Sequence, residues 1–195
     1  MIMSRKELIA YLKAEESVFA TKKRGLLSKL GILSDSQKIR KFQRLYRIVE
    51  YLTNTHKKNI IVQLYRKILE LKLNKMAERF GFTIPINVID KGLVIPHRGT
   101  IIINPHAVIG ENCTIHAGVN IGAATGTKYD APKIGKNVFI GPGVKIFGNI
   151  TIADNIDIGA NSVVNKSFHE SGITIAGVPA KKVSNKSYTV DEARL

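Results

Sequence analysis

The chain has 195 residues, with 30 Lys and Arg against 15 Asp and Glu, and a single cysteine, Cys113. One cysteine excludes a disulfide framework and fits a reducing compartment. No apolar run approaches the roughly 20 residues needed to span a bilayer, and the start, Met1-Ile2-Met3-Ser4-Arg5-Lys6, lacks the apolar core of a signal peptide, so the expectation is a soluble, cytoplasmic protein.

Composition divides near Gly81. Residues 1–80 hold 19 Lys and Arg against 7 Asp and Glu, and residues 81–195 hold 11 against 8. A basic α-helical domain over 1–80 is expected, followed by a nearly balanced domain over 81–195. Ser4 with Glu7 fits a capping box that opens a helix through about Phe19. A Gly-, Ser- and Lys-containing connection follows over 22–36. Ser34 with Gln37 offers a second capping box, ahead of Ile39, Phe42, Leu45, Tyr46, Val49 and Leu52 at helical spacing. After a turn near Asn54-Thr55, a long helix is predicted from about Lys57 to Arg79, with Gly81 as the glycine just past its end. The charge on these helices has two readings. It is a solvated face, or it draws the chain to something anionic, such as the inner face of a membrane or a lipid-linked sugar phosphate. A nucleic-acid partner has no supporting motif.

From Ile103 onward an Ile or Val recurs every six residues: Ile103, Ile109, Ile115, Ile121, then Ile134, Ile140, Ile146, Ile152, Ile158 and Val164. A smaller inward position follows four residues later, at Ala107, Cys113, Val119, Val138, Val144, Ile150, Ile156 and Ser162. A helix would want spacings of three and four, and a strand would want two. A hexad repeat specifies a parallel β-helix, in which three hexads of roughly eighteen residues make one triangular coil. The residue behind each Ile is mostly Gly, Ala or Asn, and is expected at a left-handed corner. The fold class is therefore α+β: an N-terminal helical segment, then a β-helix of about four coils.

The hexads slip twice. Ile95 is followed by Ile103, two residues late, and His97 falls in that phase change, where the backbone should turn it outward. Ile121 is followed by Ile134, thirteen residues on instead of twelve. The stretch 123–132 lacks inward residues and should leave the coil as a loop, a common carrier of binding residues. His116 lies 19 residues after His97, so about one coil higher; it lines the same cleft or is a tolerated corner residue. His106 reads as exposed, and His56 and His169 as loop residues. His97, His106 and His116 share no metal-ligand spacing, and no metal is expected. Cys113 reads as core filler.

These hexads, the extruded loop and the ending Ile175-Ala176-Gly177-Val178-Pro179-Ala180-Lys181 resemble the left-handed β-helix acyltransferases, and more closely the serine O-acetyltransferase family. The likeness runs over 85–183, with Pro-Lys-Ile-Gly at 132–135 and Lys-Ile-x-Gly-Asn-Ile at 145–150; Tyr46-Arg47-Ile48 extends it more weakly. The resemblance implies a left-handed coil and His97 as general base. It implies an oxyanion donor at the backbone of Gly122 or Ala123. Acetyl-CoA would lie along Gly141, Pro142, Gly159 and Ala160, closed over by Gly177 and Pro179, with Lys181 and Lys182 near its phosphates. It also implies a homotrimer with active sites between subunits.

Three positions depart from the family. The aspartate behind the catalytic histidine is Phe82, the aspartate before it is Pro96, and the loop's Arg-His-Pro reads Asp130-Ala131-Pro132. Donor features are kept while groups that grip serine are replaced. The leading expectation is an acetyl-CoA-dependent O-acetyltransferase acting on a sugar hydroxyl in surface polysaccharide assembly. The alternatives are serine O-acetyltransferase, with His116 or Asp130 standing in for the missing groups, and a non-catalytic β-helix scaffold.

Overall fold

Ser4 and Glu7 do cap one another: the Ser4 hydroxyl accepts the Glu7 N–H at 3.2 Å, and the Glu7 carboxylate accepts the Ser4 N–H at 3.0 Å. Helix α1 then runs Arg5–Ser17. The computed structural model describes residues 1–17, 34–55 and 59–187; Phe19, most of the connection over 22–36, His56 and Lys57 lie outside them. The second capping box also forms, between Ser34 and Gln37, and opens α2 over Asp35–Thr55. Asn59 caps α3, Ile60–Phe80, by accepting the N–H groups of Ile61 and Val62. Gly81 ends that helix in the left-handed region at φ 77°.

Helix α2 buries Ile39, Phe42, Tyr46, Val49 and Leu52. Phe42 meets Phe80 and Phe82 with ring centroids 6.0 and 5.2 Å apart, so α2, the end of α3 and the first strand share one aromatic core. The Gln43 amide donates to the Leu93 carbonyl at 2.7 Å, and the Tyr46 hydroxyl to the Pro85 carbonyl at 2.7 Å. Helix α2 thus lids the open base of the coil, whose backbone groups would otherwise go unpaired.

The rest of the chain winds through three sheets. The first contains β1 (Phe82–Thr83), β2 (Ile101–Ile103), β5 (Asn120–Gly122), β8 (Lys145–Phe147) and β11 (Val163–Val164), all parallel. The second contains β3 (Val108–Ile109), β6 (Lys133–Ile134) and β9 (Thr151–Ile152). The third contains β4 (Thr114–Ile115), β7 (Phe139–Ile140), β10 (Asp157–Ile158) and β12 (Thr174–Gly177), closed by an antiparallel β13 (Ala180–Ser184). Every predicted inward residue is buried, including Cys113 and Ser162. Burial pushes the Cys113 thiol up to about 12, so at neutral pH it is an uncharged filler.

Two expectations about the coil need correction. The residue behind each Ile is not the left-handed one. The positive-φ positions fall three residues after the Ile: Asn112, Asn137, Asn155 and Asn161 at 53–59°, and Gly118 and Gly143 at 82° and 76°. Glycine directly behind the Ile answers a different constraint. A Cβ on Gly110 would lie 2.7 Å from the Gly135 carbonyl carbon, and one on Gly141 would lie 2.7 Å from the Ile158 oxygen. Successive coils pack too closely there for a side chain.

The second correction concerns the loop. Lys133 pairs with Thr151 and Phe139 with Asp157, eighteen residues on. Val108 pairs with Lys133 and Thr114 with Phe139, twenty-five residues on. Ile121 and Ile134 are therefore consecutive hexad positions separated by a seven-residue insertion, and no hexad is lost.

Candidate active site

The first coil is also too long, and the excess sits at His97. Ile89 pairs with Ile109 and Val94 with Thr114, twenty residues on instead of eighteen. The extra length bulges out at the corner between Ile95 and β2. Ile95 and Ile101 remain fully buried while His97 and Arg98 are exposed. Two backbone bonds pin this corner to the end of α3: Gly99 N–H donates to the Phe80 carbonyl at 3.1 Å, and Ile101 N–H to the Gly81 carbonyl at 3.0 Å. The result is an open cleft of about 520 Å³ with three walls. His97, Arg98, Gly99 and Thr100 form one, the α3 end from Arg79 to Gly81 the second, and Asp35 at the start of α2 the third.

Among the described residues no hydrogen bond engages the His97 ring. The position at which the resemblance leads one to expect an aspartate is Phe82, buried in the aromatic core, 5.5 Å from Phe80 ring to ring. The structure does bring His116 next to His97, with ring centroids 6.3 Å apart. His116 leans on Phe139 at 4.9 Å and is absent from the cleft lining. Burial, and then the neighbouring His97, hold its pKa below the ordinary 6.5, so it stays neutral at physiological pH.

The other candidates lie elsewhere on the chain. Gly122 ends β5, and Ala123 begins the insertion. His97 precedes the face built from β2 and β5, whereas Ala123 and Asp130 follow it, so they lie at opposite ends of that face. The insertion folds back on itself through Ala124 N–H to the Asp130 carbonyl, and the Tyr129 ring meets that of the exposed His106 at a tilt, centroids 4.8 Å apart. Asp130 is exposed, while Ala131 and Pro132 are buried where the coil resumes.

Gly141 and Gly159 stack one above the other along the β7–β10 edge, with Ala176 beneath. Pro142, Ala160, Gly177 and Pro179 stand exposed beside them as a low ridge of small residues. Lys181 and Lys182 project from β13; Lys182 is paired with Glu170, and Lys181 is exposed. No cluster of three His, Cys, Asp or Glu among the described residues could hold a metal ion.

Sequence reading missed the charged walls of the cleft. Asp35, Arg79 and Arg98 are far apart in sequence and belong to no motif; only the packing of α2 and α3 on the first coil assembles them. It named Arg47 only within a motif and missed its role: the side chain is fully buried and binds Glu15 at 2.8 Å, Glu50 at 2.9 Å, and the carbonyls of Ile89 and Asp90.

The bacterial transferase hexapeptide family, described as six repeats, matches residues 131–166. A serine acetyltransferase of Buchnera aphidicola is 36% identical over 150 residues, covering 73% of this chain and 51% of its own length. One from Staphylococcus aureus is 41% identical over 104 residues, 52% of this chain and 48% of its own length. Among solved structures, a serine acetyltransferase in complex with cysteine superposes with a TM-score of 0.68 at 30% identity, covering 92% of this chain and 71% of that one. The chain belongs to the serine acetyltransferase-like hexapeptide-repeat transferases. Membership gives the coil its left hand. A coenzyme A complex of the Brucella abortus serine acetyltransferase matches equally well, with a TM-score of 0.68 at 26% identity over 94% of this chain and 70% of that one. The chain spans about half the length of the curated relatives it matches.

Proposed function

We propose that the protein is an acetyl-CoA-dependent O-acetyltransferase with His97 as general base and L-serine as acceptor. The observation that carries this is an exposed histidine, with no ring hydrogen bond among the described residues, at the bulged corner of a hexapeptide coil beside an open cleft. The relatives named serine acetyltransferases favour serine over the sugar hydroxyl expected from the replaced residues.

In the proposed reaction the His97 imidazole takes the hydroxyl proton as the oxygen attacks the thioester carbonyl. Backbone N–H groups at Gly122 and Ala123 hold the oxyanion. The C–S bond then breaks, and the imidazolium returns its proton to the departing thiolate. Acetyl-CoA would lie along the ridge of Pro142, Ala160, Gly177 and Pro179, whose small side chains leave room for a linear pantetheine arm. Lys181 is the better placed of the two lysines for a phosphate, because Lys182 is already paired. Identical chains would form a trimer with sites at their boundaries. The placement of His97 and of Gly122 and Asp130 at opposite ends of the β2–β5 face supports this, since a second copy would complete the site.

Thiol release from acetyl-CoA with L-serine tests the proposal. His97→Ala should lower kcat by about 10²- to 10⁴-fold and leave coenzyme A binding intact. An unchanged rate refutes His97 as base. Absence of both turnover and coenzyme A binding would instead favour a scaffold.

A sugar hydroxyl in surface polysaccharide assembly is the second reading. Phe82, Pro96, Asp130 and Ala131 favour it. So does α3, where Ile60, Ile61, Leu64, Tyr65, Ile68 and Leu71 are all more than half exposed on one side, and Lys72 and Lys75 continue that side. An apolar face running into a basic one suits an anionic membrane surface. Co-sedimentation with phosphatidylglycerol vesicles should exceed that with phosphatidylcholine and fall sharply in Leu64→Ser/Ile68→Ser. Equal recovery of both proteins removes the membrane from this reading.

A further inference from the structure

The cleft beside His97 carries more positive than negative charge, and its arginines are held for use. Arg98 directly follows the histidine. Its guanidinium binds the Asp35 carboxylate at 2.8 Å, yet its side chain remains 46% exposed. Asp35 is also approached by Lys38 at 3.8 Å, so this carboxylate does not neutralise the wall it belongs to. Arg79 also lines the cleft, in the last turn of α3, exposed and with no ion-pair partner among the described residues. The bond from Gly99 N–H to the Phe80 carbonyl ties the segment bearing Arg98 to the residue next to Arg79. Arg79 and Arg98 both line the cleft that also contains His97.

Two planar guanidiniums beside a proton acceptor form a recognition pattern, since each can bind a carboxylate or phosphate through two parallel N–H bonds. We propose that Arg79 and Arg98 are an anion subsite that grips a carboxylate on the acceptor and presents its hydroxyl to His97. Asp35 is a positioning residue that sets the Arg98 fork. The inference rests on the O-acetyltransferase reading and deepens it: the acceptor is a hydroxy acid. The resemblance leads one to look for a cationic grip in the loop before Pro132, where this chain has Asp130 and Ala131. Here the cations come from the helical wall instead. A carboxylate of this kind is available from L-serine or from an acidic sugar, and the two are separated by paired acceptors.

The test is steady-state thiol release with L-serine against L-serinamide, and with glucuronate against glucose, for the natural protein and for Arg79→Gln, Arg98→Gln and Asp35→Asn. The expected result is turnover of at least one carboxylate-bearing acceptor and poor turnover of its uncharged partner. Arg79→Gln and Arg98→Gln should each raise KM for that acceptor about ten- to hundredfold, as expected for a lost charge-assisted hydrogen bond. KM for acetyl-CoA should not move. Asp35→Asn should raise the acceptor KM by a smaller factor, with kcat preserved. Turnover of L-serinamide or glucose as efficient as that of the acid, or an acceptor KM that shifts less than about twofold in both arginine variants, overturns the subsite while leaving the transferase reading intact. Failure of the natural protein to transfer acetyl to any hydroxyl overturns the transferase reading, and the subsite falls with it.

Discussion

Asn137 shows how single residues hold the corners. Its φ of 53° lies in the left-handed region, where most side chains cost roughly 1–2 kcal/mol. Its side-chain amide accepts from Asn112 at 3.2 Å and donates to Asn155 at 2.9 Å. Asn155 in turn donates to Ser171 at 3.3 Å. The corner asparagines thus form a ladder up one edge, each satisfying the next. Asn137→Ala should destabilise the protein by about 2–3 kcal/mol, the backbone strain plus one lost ladder bond. Asn137→Gly removes only the ladder, so its chemical denaturation midpoint should fall between those of the natural protein and the alanine variant. Equal midpoints for Ala and Gly would show that φ is not the constraint.

At the scale of elements, Arg47 joins α1, α2 and the first coil. Its guanidinium is fully buried, with Glu15 from α1 and Glu50 from its own helix as counter-charges. The rings of Tyr11 and Tyr46 lie 4.9 and 5.0 Å from its carbon. Burial raises the Glu15 pKa, offset in part by Arg47, so the pair exists only because the arginine is there. Arg47→Met leaves two buried carboxylates uncompensated and should cost about 3–5 kcal/mol in chemical denaturation. Replacing Glu15 and Glu50 by leucine in the same chain should recover most of that loss. A triple variant no more stable than Arg47→Met would mean the arginine acts through packing instead. In sequence this residue is one of many basic positions on a helix, and its charge would be assigned to solvent.

For the molecule as a whole, the proposed trimer would divide the site between copies. His97 lies at one end of the β2–β5 face, and Gly122, Ala123 and Asp130 lie at the other. A trimer with shared sites predicts complementation. A His97→Ala chain and a chain lacking the loop 124–130 should each be inactive. Co-refolded at equal ratio, they should regain about a quarter of the natural activity, because one boundary in four then joins an intact histidine to an intact loop. Sedimentation should give three times the monomer mass. Recovered activity near zero, with trimers formed, would place both halves of the site in one chain.

The repeat, and with it the coil, is legible in the chain's spacing of Ile and Val. A hexad spacing suits neither a helix nor an ordinary strand, and every inward position read from it is buried. It also marked both irregularities, because a repeat makes its own interruptions visible. Ile103 arrives late after His97, and Ile134 late after the loop. It could not say how long the insertion is, since thirteen residues fit two hexads plus one as well as one hexad plus seven; strand pairing decided that. Nor could it separate the glycines required by φ from those required by close approach, because both look alike in sequence and differ only in which atoms lie above them. The charged cleft and the Arg47 centre were decided by tertiary structure alone. They join residues from α1, α2, α3 and the first coil that share no spacing, and long-range packing of side chains leaves no periodic trace in a sequence.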